Sequence, residues 1–166
     1  MVPQSVPQPL IGIIGAGSCS PEIDQLAYEV GVQLARSDYA VICGGRDGVM
    51  AAVCRGAKQA QGTTVGILSG TNADAANPWV DIVIPTGMGD ARNLIIVHSA
   101  IALIAISGEY GTLSEIAFAL KLNKPLVGLQ TWQPVRPGLR APEFPLVQTA
   151  SDAVEWIQHA VAEDSR

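Results

Sequence analysis

The amino-acid sequence predicts an α/β fold, a three-layer, doubly wound parallel sheet in a single domain. Two observations carry that reading. Short apolar runs alternate along the chain with segments whose apolar residues recur at helical spacing. The apolar runs are continuous instead of alternating with polar residues, as strands buried on both faces require.

The elements follow in order. The first strand is expected at 10–14 and ends at Gly15. Ser20 and Pro21 form an N-cap and first-turn pair, after which Ile23, Leu26, Ala27, Val30 and Leu34 make one face of a helix. A second strand at 39–43 is closed by Gly44 and Gly45, and a helix over 47–61 places Val49, Val53, Ala57 and Ala60 together. Strands are expected at 64–68 and 81–84, then a helix over 90–99 and a strand over 101–106. Leu113, Ile116, Ala117 and Leu120 stripe the next helix as its inward face, and 125–129 is a sixth strand. Residues 131–149 hold four prolines and Trp132 and read as irregular. A last helix from Ser151 turns Val154, Ile157 and Val161 inward. Right-handed crossovers between such strands give a Rossmann-like topology. Residues 1–9 carry three prolines and no basic segment, and read as a loose leader, not a signal peptide. The ligand-binding domain is expected over 10–166.

Composition narrows the function. The chain has 166 residues, 48% hydrophobic and only 15% charged, with a net charge of −5. That balance argues against a nucleic-acid surface or an anionic membrane. The apolar run 95–106 is broken by His98 and Ser99 and is too short to span a bilayer. Cys19, Cys43 and Cys54 are odd in number and lack Cys-x-x-Cys spacing, which disfavours a disulfide framework or a metal site. The reduced cytoplasm is the expected location.

Four strand-to-helix turns are rich in glycine: Gly15-Ala16-Gly17-Ser18, Gly44-Gly45-Arg46-Asp47-Gly48, Gly87-Met88-Gly89-Asp90 and Gly108-Glu109-Tyr110-Gly111-Thr112. In a doubly wound sheet all such turns lie at one edge, where ligands bind. Glycines let backbone N–H groups approach an anion, and a helix N-terminus adds its positive dipole end. A phosphorylated ligand is the expected occupant. Gly15-Ala16-Gly17 does not complete a dinucleotide fingerprint, because Ser20 stands where a third glycine is required. NAD is therefore disfavoured.

Several residues carry two readings. Arg92 starts its helix, where a cation is unfavourable unless it faces an anion; otherwise it is a solvated first-turn arginine. Arg46 divides in the same way. Glu115 either faces the ligand or closes a capping box with Thr112. Glu109 adds negative charge beside the phosphate seat, so it points away or meets a ligand donor. Tyr110 either stacks on a planar ring or covers the turn. Cys19 is a filler or a thiol acidified by the helix start. Cys43 and Cys54 read as core, and His98 as an interface or capping residue.

Ser107-Gly108-Glu109-Tyr110-Gly111-Thr112-Leu113-Ser114-Glu115 resembles the Pro-Gly-Gly-x-Gly-Thr-x-x-Glu signature of the lysine-decarboxylase-like, or Lonely Guy, superfamily. Gly44-Gly45-Arg46-Asp47-Gly48-Val49-Met50 is similar to that superfamily's upstream glycine element. Its Arg-Lys pair is met by Arg92 and Asn93. Cytokinin-activating members cleave the N-glycosidic bond of nucleoside 5′-monophosphates, and the resemblance assigns that chemistry to Arg92 and Glu115. The chain departs from the signature at Ser107, Glu109 and Asn93. Its Ser-Gly-Glu-Tyr-Gly-Thr-Leu-Ser-Glu form, with the stretch from Gly44 to Ala57, is closer to the molybdenum cofactor carrier branch. That resemblance implies a homodimer or homotetramer that binds, protects and hands on the phosphorylated pterin–molybdenum cofactor without turning over a substrate.

The expected function is thus a carrier for a phosphorylated heterocycle, the molybdenum cofactor first, with phosphate or a nucleotide able to substitute. The expected ligand contacts are Gly15, Gly17, Ser18, Gly44, Gly45, Arg46, Gly48, Arg92, Gly108, Glu109, Tyr110, Gly111, Thr112 and Glu115. The enzymatic alternative is a nucleoside 5′-monophosphate phosphoribohydrolase using Arg92 and Glu115. Single-stranded DNA binding would need a basic groove, which the charge disfavours.

Overall fold

A computed structural model describes residues 8–135, 137–138 and 144–164. Among them run seven strands, β1 (Leu10–Gly15), β2 (Ala40–Cys43), β3 (Thr64–Leu68), β4 (Ile82–Pro85), β5 (Ala102–Ile106), β6 (Leu126–Leu129) and β7 (Leu146–Val147). Five helices alternate with them: α1 (Pro21–Arg36), α2 (Val49–Gln59), α3 (Arg92–Ser99), α4 (Tyr110–Lys121) and α5 (Ala150–Asp164). Every adjacent strand pair is parallel, in the order β4-β3-β2-β1-β5-β6-β7. The order reverses direction between β1 and β5, so the crevice outside their carboxyl ends is the topological switch point.

Strand alternation divides the core into two faces. Ile11, Ile13, Val41, Ile104 and Val127 point toward α1, α2 and α5. Ile14, Ile42, Ile67, Leu103 and Leu126 point toward α3 and α4. The result is the three-layer doubly wound sheet that the continuous apolar runs predict. Ser20 caps α1, its Oγ accepting from the Ile23 N–H at 3.3 Å, with Pro21 opening the first turn.

Four details differ from the sequence expectation. The inward face of α4 is Thr112, Glu115, Ile116 and Ala119, and Ala117 is exposed. The helix is rotated because its first turns close a polar crevice, which a search for apolar periodicity passes over. β4 is an edge strand with Ile82 50% and Ile84 43% exposed, so that run is not covered on both faces. The stretch 131–149 contains β7, two residues long, held by its pairing to Gly128 and Leu129. The second helix starts at Val49, because Gly48 takes a left-handed φ of 62° that keeps it and the residues before it out of the helix. Seven residues of the expected leader, 1–7, lie outside the described residues. No helix among the described residues is long and apolar enough to cross a membrane.

Candidate functional site

The carboxyl end of β1, the turns that follow β2 and β5, and the first turns of α2, α3 and α4 line a cavity of about 160 Å³. The four glycine-rich turns all contribute to it: Gly15 and Gly17 from the first, Gly44 from the second, Asp90 from the third, and Glu109, Gly111 and Thr112 from the fourth.

Arg92, the first residue of α3, reaches across this floor. It fits because residue 44 has no side chain: a Cβ there would stand 2.6 and 2.7 Å from the two terminal guanidinium nitrogens. The Arg92 side chain is 14% exposed, and its Nε is buried without a hydrogen-bond partner among the described residues. Such an orphaned donor is rare in a folded protein and calls for an explanation.

Glu115 faces it from α4, Oε1 to Nη1 at 3.8 Å, with the glutamate 6% exposed. Burial pushes its carboxyl up to about 8, with Arg92 pulling the other way. Desolvation wins, so the carboxyl is largely protonated at neutral pH. The capping box is not what holds Glu115. α4 begins at Tyr110, its N-cap is Glu109, and Thr112 already lies inside the helix. The Glu109 side chain makes no cap hydrogen bond, so the first N–H groups of α4 stay available at the crevice.

The turn that delivers α4 is locked from several sides. Ser107 and Gly108 both adopt left-handed φ, 53° and 117°, turning the chain sharply out of β5. A Cβ on Gly108 would stand 2.5 Å from the Thr112 side chain, which occupies that space. Thr131 Oγ1 donates to the Ser107 carbonyl at 2.5 Å, and Trp132 Nε1 donates to the Glu109 carbonyl at 3.2 Å. Tyr110 packs its ring at 5.7 Å from that of Trp132. Asn93 Nδ2 donates to Ser114 Oγ at 3.1 Å, and Ser114 Oγ to the Gly111 carbonyl at 2.6 Å, tying the start of α3 to the first turn of α4.

Of the residues singled out from sequence, Gly15, Gly17, Gly44, Arg92, Glu109, Gly111, Thr112 and Glu115 line the cavity. Arg46 lines an adjoining chamber of about 300 Å³ that shares Gly17, Met50, Asp90 and Arg92 with it. Ser18, Gly45, Gly48, Gly108 and Tyr110 are absent from both linings. Gly45 packs against Gly66 of β3, and Gly48 against the backbone at Ala16–Ser18, where the Val49 N–H donates to the Ala16 carbonyl at 3.0 Å. Their glycine character thus serves turn packing. Asp90, Asn93 and Met50 line the cavity although the expected ligand contacts leave them out. Their signal was position: two of them flank Arg92 at the end of the third glycine turn, and Met50 follows the second.

None of the three cysteines lines either chamber. Cys43 and Cys54 are fully buried with Sγ atoms 3.7 Å apart. Cys19 is half-buried, and burial together with the Asp24 carboxylate raises its thiol instead of acidifying it.

Comparison with known proteins identifies the family. The model of the SLOG cluster4 family matches residues 8–159. An uncharacterized protein of Archaeoglobus fulgidus is 49% identical over 120 residues, 72% of this chain and 79% of that protein. The molybdenum cofactor binding protein from the phototrophic bacterium Rippkaea orientalis superposes with a TM-score of 0.84 at 32% identity, covering 95% of this chain and 99% of that one. The molybdenum cofactor carrier protein of Chlamydomonas reinhardtii gives 0.82 at 34% identity over the same shares, 95% and 99%. This chain belongs to the SLOG cluster4 family and is similar over nearly its whole length to molybdenum cofactor binding and carrier proteins.

Proposed function

We propose that this chain binds the molybdenum cofactor as cargo and holds it by its phosphate at the crevice between β1 and β5. The observation that carries the reading is the buried, unpartnered Nε of Arg92 beside the uncapped N-terminus of α4. Backbone N–H groups at Gly111 and Thr112 and the helix dipole would hold the phosphate, and Arg92 would neutralise it. Gly17 and Gly111 suit this role, since a Cβ on either would meet nothing within 4 Å and the space before them is open. The cavity of about 160 Å³ suits the phosphate end, and the adjoining chamber of about 300 Å³ has room for the ring. Together they reach the size of an ordinary small-molecule site, roughly 300–1,000 Å³. The likeness to the Rippkaea and Chlamydomonas proteins supports this choice of cargo. Inorganic phosphate or a nucleotide would compete for the same seat.

A homo-oligomer and a reducing, cytoplasmic setting belong to the same reading. Ile82, Ile84, Met88 and Ile101 are exposed apolar side chains that a second copy would cover, and the three cysteines are unpaired. Light scattering on a gel-filtration peak measures the oligomer.

The deciding experiment is anaerobic incubation with molybdenum cofactor, then gel filtration with pterin fluorescence recorded on the protein peak. Co-elution supports the carrier. Release of free adenine from AMP, lost in Glu115→Ala, would replace it with a phosphoribohydrolase.

A further inference from the structure

Cys43 and Cys54 are chemically capable groups that the anion seat does not use. Both are fully buried, and their Sγ atoms lie 3.7 Å apart across the joint between β2 and α2. Cys43 is the last residue of β2. It precedes Gly44, which lines the inner cavity and makes room for the Arg92 guanidinium. The Cys43 sulfur also accepts from the Gly45 N–H at 3.4 Å. The hydrogen bond from Cys54 lowers the Cys43 thiol against the effect of burial, helped by the Gly45 N–H and the charge of Arg92. That same bond, with burial, pushes the Cys54 thiol up. One sulfur is set to become thiolate and the other to keep its proton, the division of labour of an attacking and a resolving cysteine.

We propose that Cys43 and Cys54 form a redox-active dithiol that hydrogen peroxide closes to a disulfide, and that closure weakens the anion seat at Arg92. The second half rests on the proposed function. The Cys43 thiolate attacks a peroxide oxygen, the O–O bond breaks, and the departing hydroxide takes up a proton to become water. The Cys54 sulfur then attacks the resulting sulfenic acid at sulfur, the S–O bond breaks, and a second water carries off the Cys54 proton. The thiols lose two electrons, which peroxide takes up. Peroxide suits a buried pair because it is little larger than water, and the cavity wall at Gly44 lies one residue from Cys43.

A disulfide holds its sulfurs at about 2.05 Å, so the pair must draw together from 3.7 Å. α2 is pinned against α1, where a Cβ on Gly31 would strike the Val53 carbonyl and one on Gly56 the Tyr28 carbonyl. β2 is paired on both sides, to β1 and β3. The movement therefore falls on the turn that begins at Gly44, where the guanidinium already fills the space a side chain would take.

The test uses the full chain carrying Cys19→Ser, so that only this pair of thiols remains. The chain is reduced, freed of reductant and titrated with hydrogen peroxide. Peptide mass mapping is expected to show a Cys43–Cys54 bridge, lighter by the two hydrogens lost. Calorimetry with inorganic phosphate should then show an affinity several-fold lower, restored by dithiothreitol. The double variant Cys43→Ala with Cys54→Ala should bind phosphate equally before and after peroxide. A melting curve checks its fold, and the mapping of the parent pair does not depend on it. Thiols that stay free, or that oxidise to sulfinic acid without a bridge, overturn the dithiol. A bridge that leaves phosphate affinity unchanged overturns the coupling to Arg92. A fall that persists in the double variant places the oxidation elsewhere, Met50 being the other sulfur beside the seat, and overturns the assignment. If the reduced chain binds no phosphate, the carrier reading and the coupling fall together, and the mapping still decides the bridge.

Discussion

Arg92 and Glu115 face each other across the crevice at 3.8 Å without a hydrogen bond, both largely out of solvent. A buried pair at that separation is an unfinished ion pair: desolvation has been suffered, but the close contact that would offset it has not formed. The arginine is left with an unsatisfied Nε and the glutamate with a raised pKa. On the proposed function, an incoming anion would complete the arrangement by bonding the guanidinium beside a protonated carboxyl.

Removing the cation should therefore weaken the seat. Arg92→Ala is expected to lower phosphate affinity by at least tenfold, since a charge-assisted hydrogen bond is worth about 1.5–3 kcal/mol. Calorimetry with inorganic phosphate measures it, and a melting curve checks that the fold persists. Unchanged affinity would mean that the anion sits elsewhere.

Affinity should also depend on pH with a definite sign. Below about 8 the Glu115 carboxyl is protonated and the charge of Arg92 is uncompensated. Raising the pH through about 8 places a carboxylate 3.8 Å from the guanidinium, and phosphate affinity should fall. Glu115→Gln should flatten that decline. Stability follows the same proton: the unfolded chain releases it near 4.5 and the folded chain near 8, so this group's contribution drops across that interval and then levels. Glu115→Gln should accordingly be more stable than the parent at pH 8, by roughly 1–3 kcal/mol in urea unfolding.

Gly44→Ala should act at a distance on Arg92. The added methyl would meet the ends of two flexible side chains, the guanidinium at 2.6–2.7 Å and the Met50 sulfur at 2.7 Å. Those ends can move, so the fold should lose only about 1 kcal/mol. The displaced guanidinium should cost phosphate binding most of what Arg92→Ala costs. Binding at the parent level would show that the seat of Arg92 is not needed.

Gly111→Ala should separate stability from function. Gly111 lies in the first turn of α4 with open space where a Cβ would stand. The substitution should leave stability equal or raise it by up to about 1 kcal/mol, as alanine replaces glycine in a helix. The methyl enters the ligand's approach, so phosphate affinity should fall severalfold. A variant that binds normally would place the phosphate away from this turn.

How far the sequence reached differs between elements. Six of the seven strands show as continuous apolar runs, because a buried parallel strand needs nothing else locally. β7 is invisible, since two residues after Pro145 become a strand only through the pairing that β6 offers. The start of α1 is announced by Ser20 and Pro21. The inward face of α4 is not, because Thr112 and Glu115 are buried for the sake of the crevice while apolar periodicity points to Ala117.

Residue types and short-range spacing determined the layers, the parallel sheet and the edge at which glycine turns collect, because propensity and burial pattern act within a few residues. Only the tertiary structure decided which glycines open toward the crevice and which pack against β3 or the first turn. It alone brought Arg92 opposite Glu115 and left Asp90 beside them. Those relations join segments distant in the chain, and crossover packing, not local preference, sets their distances.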